Sequence, residues 1–270
     1  MAHTVESVIA RRRLLGAGAG IGAASLLAGC GLDRLGGGER DGDRAYCVPR
    51  SATQRRAGIG EAELAYEEND RAQPFNIDAD FARQLDGWLE FFDARAGLGA
   101  PDRIRTYGAW IDGSGSCDSW HHSGRALDFA RLVRGDAEIV SCRNDLWREA
   151  ADLPTQRRRY WALAASLHRH FSYVVTYLYN DAHRNHIHVD NGASGAELAR
   201  FSTRSRTQLQ GVQAVCSYLY GLDVPITGRW DDATRAATGR VLADIGVGGS
   251  LTDDGAWTAL MGAATGAAAP

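Results

Sequence analysis

The chain is 270 residues long, with 30 basic against 33 acidic side chains and a formal net charge of −3. A nucleic-acid partner asks for a basic domain or stripe, and this balance argues against one. All thirty basic residues are arginine, which together with abundant Gly and Ala points to a GC-rich genome.

The first residues read as an export signal rather than as fold. A basic cluster at Arg11, Arg12 and Arg13 precedes an apolar, small-residue run that ends at Cys30. Arg11-Arg12 followed by Leu14-Leu15 resembles a twin-arginine signal, and Leu27 to Cys30, "LAGC", resembles the lipobox of bacterial lipoproteins. The run Leu14 to Gly29 is sixteen residues, short of the ~20 that span a bilayer. The expectation is a signal peptide over 1–29 and a lipid on Cys30. The protein is then anchored at the outer face of a bacterial cytoplasmic membrane, with a mature charge of about −5 after loss of three Arg and one Glu. Cys47, Cys117, Cys142 and Cys216 remain, an even set that reads as up to two disulfides in an exported protein. Of the three pairings, Cys117–Cys142 with Cys47–Cys216 is preferred, because Cys117 and Cys142 flank one predicted strand.

Residues 30–56, rich in Gly, Arg and Asp, predict a solvated tether. Residues 57–200 predict a first, α+β domain with a small antiparallel sheet and flanking helices. Phe81, Leu85, Leu89 and Phe92 recur at helical spacing, with Asp78 or Asp80 as N-cap and Gly97 as stop. "RIRTYGAWI" and "GRALDFARLV" read as strands and "QRRRYWALAASLHRHF" as a helix. "YVVTYLY" and "HIHVD" read as two further strands.

Residues 205–264 predict a separate three-helix module. Leu209, Val212, Cys216 and Leu219 form one stripe that ends at Gly221. A second helix starts behind Asp231 or Asp232 and a third behind Thr252. "VQAVCSYLYG…ITGRWDDATRAA…GSLTDDGAWTALM" resembles the peptidoglycan-binding domain of bacterial wall hydrolases, although Gly239-Arg240 stands where that family often has a glutamine. The resemblance implies peptidoglycan as a partner.

Five of the eight histidines fall in "SWHHSGRALDFA" (119–130) and "HRNHIHVDN" (183–191). On a strand, His186, His188 and Asp190 share one face, and Asp128 shares a face with Ala126 and Ala130, which leave room around its carboxylate. Gly124 permits a tight turn between His121 and that strand. A catalytic zinc takes three such protein ligands and keeps one position open.

The pattern Ser119-x-His121-x-x-Gly124-x-Ala126-x-Asp128, with His186-x-His188 downstream, resembles that of the LAS-type zinc metallopeptidases. These include the D-alanyl-D-alanine carboxypeptidases and the murein endopeptidases. "NDAHRNHIHVDN" is most similar to the extensin-like C-terminal family. The resemblance, over residues 75 to 192, implies Zn2+ held by His121, Asp128 and His188. It also implies His186 as base or transition-state stabiliser and His183 as a further polar contact in the catalytic set. Ser119 and Asp190 are candidates for supporting the ligands. His122 is expected to point elsewhere on an extended segment, His168 and His170 to be solvated or helix-terminal, and His3 to leave with the signal peptide.

The sequence departs from the family in one respect. The family's carboxypeptidases have an arginine before the first histidine to hold a terminal carboxylate, and "TYGAWIDGSGSC" has none. Arg125 is expected to point away, and Arg103 and Arg105 lie early. That favours an endopeptidase or another wall amide hydrolase, monomeric and lipid-anchored. The alternative is a non-catalytic wall-binding lipoprotein whose metal site is structural or vacant.

Overall fold

A computed structural model describes residues 47–114, 117–192 and 195–269. The expected export signal with His3, the expected lipidation at Cys30 and the predicted tether up to residue 46 lie outside the described residues. Residues 47–56 are not a solvated tether. Cys47 is disulfide-bonded to Cys117, the Val48 amide donates to His122 O, and β1 (Gln54–Arg56) forms a ladder with β5 (Phe75–Ile77).

Between those two strands lie β2 (Gly58–Ile59), β3 (Ala62–Tyr66) and β4 (Arg71–Ala72). Helix α1 (Ala79–Ala96) follows, capped by Asp78, whose carboxylate accepts from the amides of Asp80 and Phe81, and closed by Gly97 in the left-handed conformation at φ 65°. Next come β6 (Arg103–Gly108), β7 (Ala126–Arg134), β8 (Ala137–Ser141) and the one-turn α2 (Asn144–Trp147). Helix α3 (Leu153–His170) begins three residues before the predicted stretch. Pro154 sits in its first turn, where a missing N–H costs nothing.

β9 is only Tyr173–Val175, because the predicted strand turns back at Thr176, whose carbonyl accepts from the Tyr179 amide. β10 (Ile187–Asp190) starts one residue after His186.

The main sheet is neither small nor purely antiparallel. It has eight strands in the order β2-β3-β6-β7-β10-β9, with β4 on β3 and β8 on β7, and β3 runs parallel to β6. Leu127 and Phe129 of β7, Ile187 and Val189 of β10, and Ile104 of β6 are buried in one core with Phe81, Leu85, Trp88 and Phe92 of α1 and Tyr160, Leu163 and Leu167 of α3. Trp88 binds this layer together, its indole N–H donating to Ser166 Oγ and its ring 4.9 Å from that of Phe129. With the helices on that face, strand alternation sends Asp128 and His188 to the other.

Helices α4 (Arg206–Tyr218), α5 (Asp232–Asp244) and α6 (Ala256–Thr265) are present in the predicted stretch. Asp231 caps α5 through the Thr234 amide. α6 starts after Gly255 and not behind Thr252, because Gly255 takes a left-handed φ of 81° that interrupts the helical path. The three helices are not set apart from the rest of the chain. Their core of Val212, Val215, Val241, Leu242, Trp257 and Leu260 includes Ala165 of α3, and the Trp257 indole donates to His168 O. Buried Gln213 ties α4 to the loop before α5, donating to Arg229 O and Thr234 Oγ1 while accepting from the Gly228 amide.

His168 and His170 lie in the last turn of α3, the helix-terminal place expected of them, but they are buried and not solvated. His170 Nδ1 meets Ser166 O at 2.9 Å. Among the described residues neither ring nitrogen of His168 has a hydrogen-bond partner, and burial lowers its pKa to about 3.

Candidate metal centre

His121 enters the site on a 3-10 turn, Trp120–Ser123, rather than on an extended segment. Ser119 starts this turn by accepting from the His121 amide, so it supports the ligand through its backbone. Gly124 ends the turn at φ 70° and hands the chain to β7. A Cβ there would approach Asp78 N and Thr53 Cγ2 to 3.0 Å, so the position needs glycine for both space and conformation. One turn carries adjacent side chains to different sides. His122 lies toward Ile111 O at 3.4 Å and Asp118 at 3.5 Å, away from His121's partners.

Asp128 sits between two strands, opposite His188 of β10 and Gly108 of β6. The β6–β7 ladder slips between Arg105 and Gly108, with Ala130 the extra residue on β7. Thr106 Oγ1 steadies that slip by donating to Asp128 O at 2.7 Å and accepting from the Gly108 amide.

Three buried donor atoms converge here. His188 Nδ1 is 2.9 Å from Asp128 Oδ1, His121 Nε2 is 3.3 Å from the same oxygen, and the two nitrogens are 3.2 Å apart. The outer nitrogens are held from behind. His121 Nδ1 meets Ala109 O at 2.5 Å, and His188 Nε2 meets Asp190 Oδ2 at 3.2 Å. Asp190 is itself oriented by the Gly192 amide. Such outer partners fix tautomer and ring angle, leaving one lone pair per imidazole for the centre. Among the described residues, His121, Asp128 and His188 are the group that could hold a metal ion.

The same contacts shift the ionisation of the group. Burial alone would raise the Asp128 pKa, but His121 and His186 hold it well below the ordinary carboxylate range. Burial alone would lower His188, but its bonds to Asp128 and Asp190 raise it well above the usual imidazole value.

His186 and His183 stand beside this group. His186 Nε2 is 3.7 Å from Asp128 Oδ1, and its ring is 4.9 Å from that of His183. Burial, with the neighbouring His188 and His121, outweighs Asp128 and keeps His186 below its normal pKa. His183 falls to about 3, through burial and then its histidine neighbours. Burial thus favours the neutral form of both rings.

The predicted disulfides are corrected. Cys47 pairs with Cys117 across 5.3 Å between Cα atoms, while Cys142 and Cys216 are buried free thiols. Cys142 directly follows β8 in the sheet core and Cys216 lies inside α4, while their expected partners Cys117 and Cys47 are joined to each other. The bond instead fastens residues 47–48 over the loop before His121, where Trp110 Nε1 donates to Val48 O and the Ile111 amide donates to His121 O.

No predicted arginine reaches the metal group. Arg125 is buried against Asn191 and Gly192 with Trp120 beneath it, and Arg103 and Arg105 pair with Glu63, Glu67 and Asp70. Sequence reading missed Tyr107 and Asn185. Tyr107 packs edge-on to His186 at 5.9 Å, and Asn185 Oδ1 is 2.7 Å from His186 Nδ1. For Asn185 the available signal was its place directly before the His-x-His pair. For Tyr107 there was none, because the strand slip that turns it to the site leaves no mark in the alternation. Comparison with protein-family models, with curated proteins and with solved structures finds no match to this chain.

Proposed function

We propose that the protein is a zinc-dependent amide hydrolase acting on peptidoglycan stem peptides or their cross-links, exported and lipid-anchored at Cys30. The observation that carries this reading is the donor triangle, with edges of 2.9, 3.2 and 3.3 Å. A tetrahedral zinc with ligands at about 2.0–2.1 Å has ligand–ligand edges of roughly 3.3 Å, so the triangle is the size of one face of its coordination shell. Two imidazoles and one carboxylate match a catalytic set, which leaves a fourth position open, better than a closed structural one. A zinc ion held there supplies Lewis acidity, polarising a scissile carbonyl and acidifying water.

The protein's own groups supply the rest. His186, neutral and with Nε2 turned toward Asp128, accepts a proton from the attacking water and returns it to the leaving amine. Asp190 and Ala109 O keep His188 and His121 from rotating. The occupied state of Arg103, Arg105 and Arg125 leaves no free guanidinium among them for a terminal carboxylate, which favours cleavage within a chain over release of its last residue.

The wall substrate is supported by the sequence. The motif pair resembles that of murein peptidases, the last helices resemble a peptidoglycan-binding domain, and the N-terminus resembles an export signal with a lipobox. The test is digestion of purified peptidoglycan, with products identified by mass spectrometry, before and after chelation and after zinc is restored. Chelator-sensitive release of peptide fragments, recovered with zinc, is the expected result. Undigested wall at full zinc occupancy would leave a wall-binding lipoprotein instead.

A further inference from the structure

The two imidazoles beside the donor triangle each have one ring nitrogen at hydrogen-bond distance from an acceptor: His183 Nδ1 from Asn180 Oδ1, and His186 Nδ1 from Asn185 Oδ1. An acceptor is satisfied only by an N–H, and a neutral imidazole has one, so the opposite nitrogen carries the lone pair. For His186 that nitrogen is Nε2, the atom turned toward Asp128.

Asn185 differs from the carbonyl and carboxylate that hold the two ligands. An amide has a donor end and an acceptor end, and presenting its NH2 to Nδ1 would impose the other tautomer on His186. Here the acceptor end faces the ring, Asn185 Oδ1 lying 2.7 Å from His186 Nδ1. Tyr107 packs edge-on against the same imidazole, with ring centroids 5.9 Å apart.

We propose that Asn185 is a positioning residue that fixes His186 as the Nδ1–H tautomer with its Nε2 lone pair toward the candidate metal centre. The kinetic consequence rests on the hydrolase reading; the tautomer does not.

The test uses the 15N-labelled, zinc-loaded protein. Long-range 1H–15N correlation assigns the His186 tautomer, metal analysis gives zinc content, and turnover is measured on a wall-peptide substrate. The wild type should show Nδ1–H at His186. Asn185→Leu should move His186 toward Nε2–H and lower kcat by roughly 10–100-fold, with KM and zinc content nearly unchanged. Asn185→Asp, which restores an acceptor, should recover the tautomer and most of kcat, a rescue that a merely structural role would not produce. An Nε2–H tautomer in the wild type, or an Asn185→Leu protein with unchanged tautomer and kcat, would overturn it. A wild type that cleaves no wall peptide, yet shows the Nδ1–H tautomer and loses it in Asn185→Leu, would sink the hydrolase reading and uphold this one.

Discussion

Asp128 and His188 are direct cross-strand partners in the β7–β10 ladder, and their side chains meet at 2.9 Å on the face turned away from the helices. The geometry of this candidate ligand pair is therefore set by strand register. A one-residue slip of either strand would send its member of the pair to the core face.

That dependence separates ligands from neighbours. His121→Ala, Asp128→Ala and His188→Ala should each lose stoichiometric zinc, measured by metal analysis after gel filtration. His122→Ala should keep it, because its ring lies toward Ile111 and Asp118.

The disulfide should matter to the same centre. Peptide mapping under non-reducing conditions should find Cys47 joined to Cys117 and recover Cys142 and Cys216 unpaired. Cys117→Ser should cost about 2–4 kcal/mol in denaturant unfolding, since the bond closes a span of 70 residues. It should also weaken zinc binding, because the loop it fastens shares hydrogen bonds with His121 and His122.

His168 predicts an acid sensitivity located outside the candidate metal group. Its folded pKa is about 3, against 6.5 for an exposed imidazole. Below about pH 6.5 the unfolded chain binds a proton that the folded chain refuses, so stability falls as pH falls. The loss between pH 7 and pH 5 is roughly 2 kcal/mol from this residue. His168→Leu keeps the ring's apolar contact with Trp257 and removes the titration. Its unfolding free energy should decline less over that range than the wild type's, by about this amount. An identical decline in both proteins would assign the sensitivity elsewhere, to His170 or His183 first.

Gln213 tests how the C-terminal helices are held. Gln213→Leu would leave Gly228 N and the groups around Thr234 without their buried partner. It should destabilise the chain by about 1–3 kcal/mol, seen as a lower midpoint in urea with an unchanged slope.

Much of the candidate site was legible because its chemistry is local in sequence. His121, Gly124 and Asp128 lie within one turn and one strand, and His188 lies on another, so spacing puts Asp128 and His188 on compatible faces, while His186 precedes β10 and is placed by the loop before it. The caps of α1 were equally visible in Asp78 and Gly97. What could not be read depends on partners distant in the chain. The parallel pairing of β3 with β6, the Cys47–Cys117 bond and the burial of His168 under Trp257 are all set by tertiary packing. The end of the YVVTYLY strand was missed for a related reason. Tyr177 is drawn into an aromatic cluster with Trp147, Tyr160 and Trp161, and that packing overrides β propensity.

The most direct test of the central claim is His186→Ala, assayed for zinc content and for cleavage of a wall-peptide substrate in the same preparation. His186 stands 3.7 Å from Asp128 Oδ1 without belonging to the three-atom metal group. The account predicts near-stoichiometric zinc with turnover reduced by about 10²–10⁴, the contribution of a positioned acid–base group. Loss of the metal would make His186 a fourth ligand closing the site, and full activity would remove it from the chemistry; either result would contradict the mechanism.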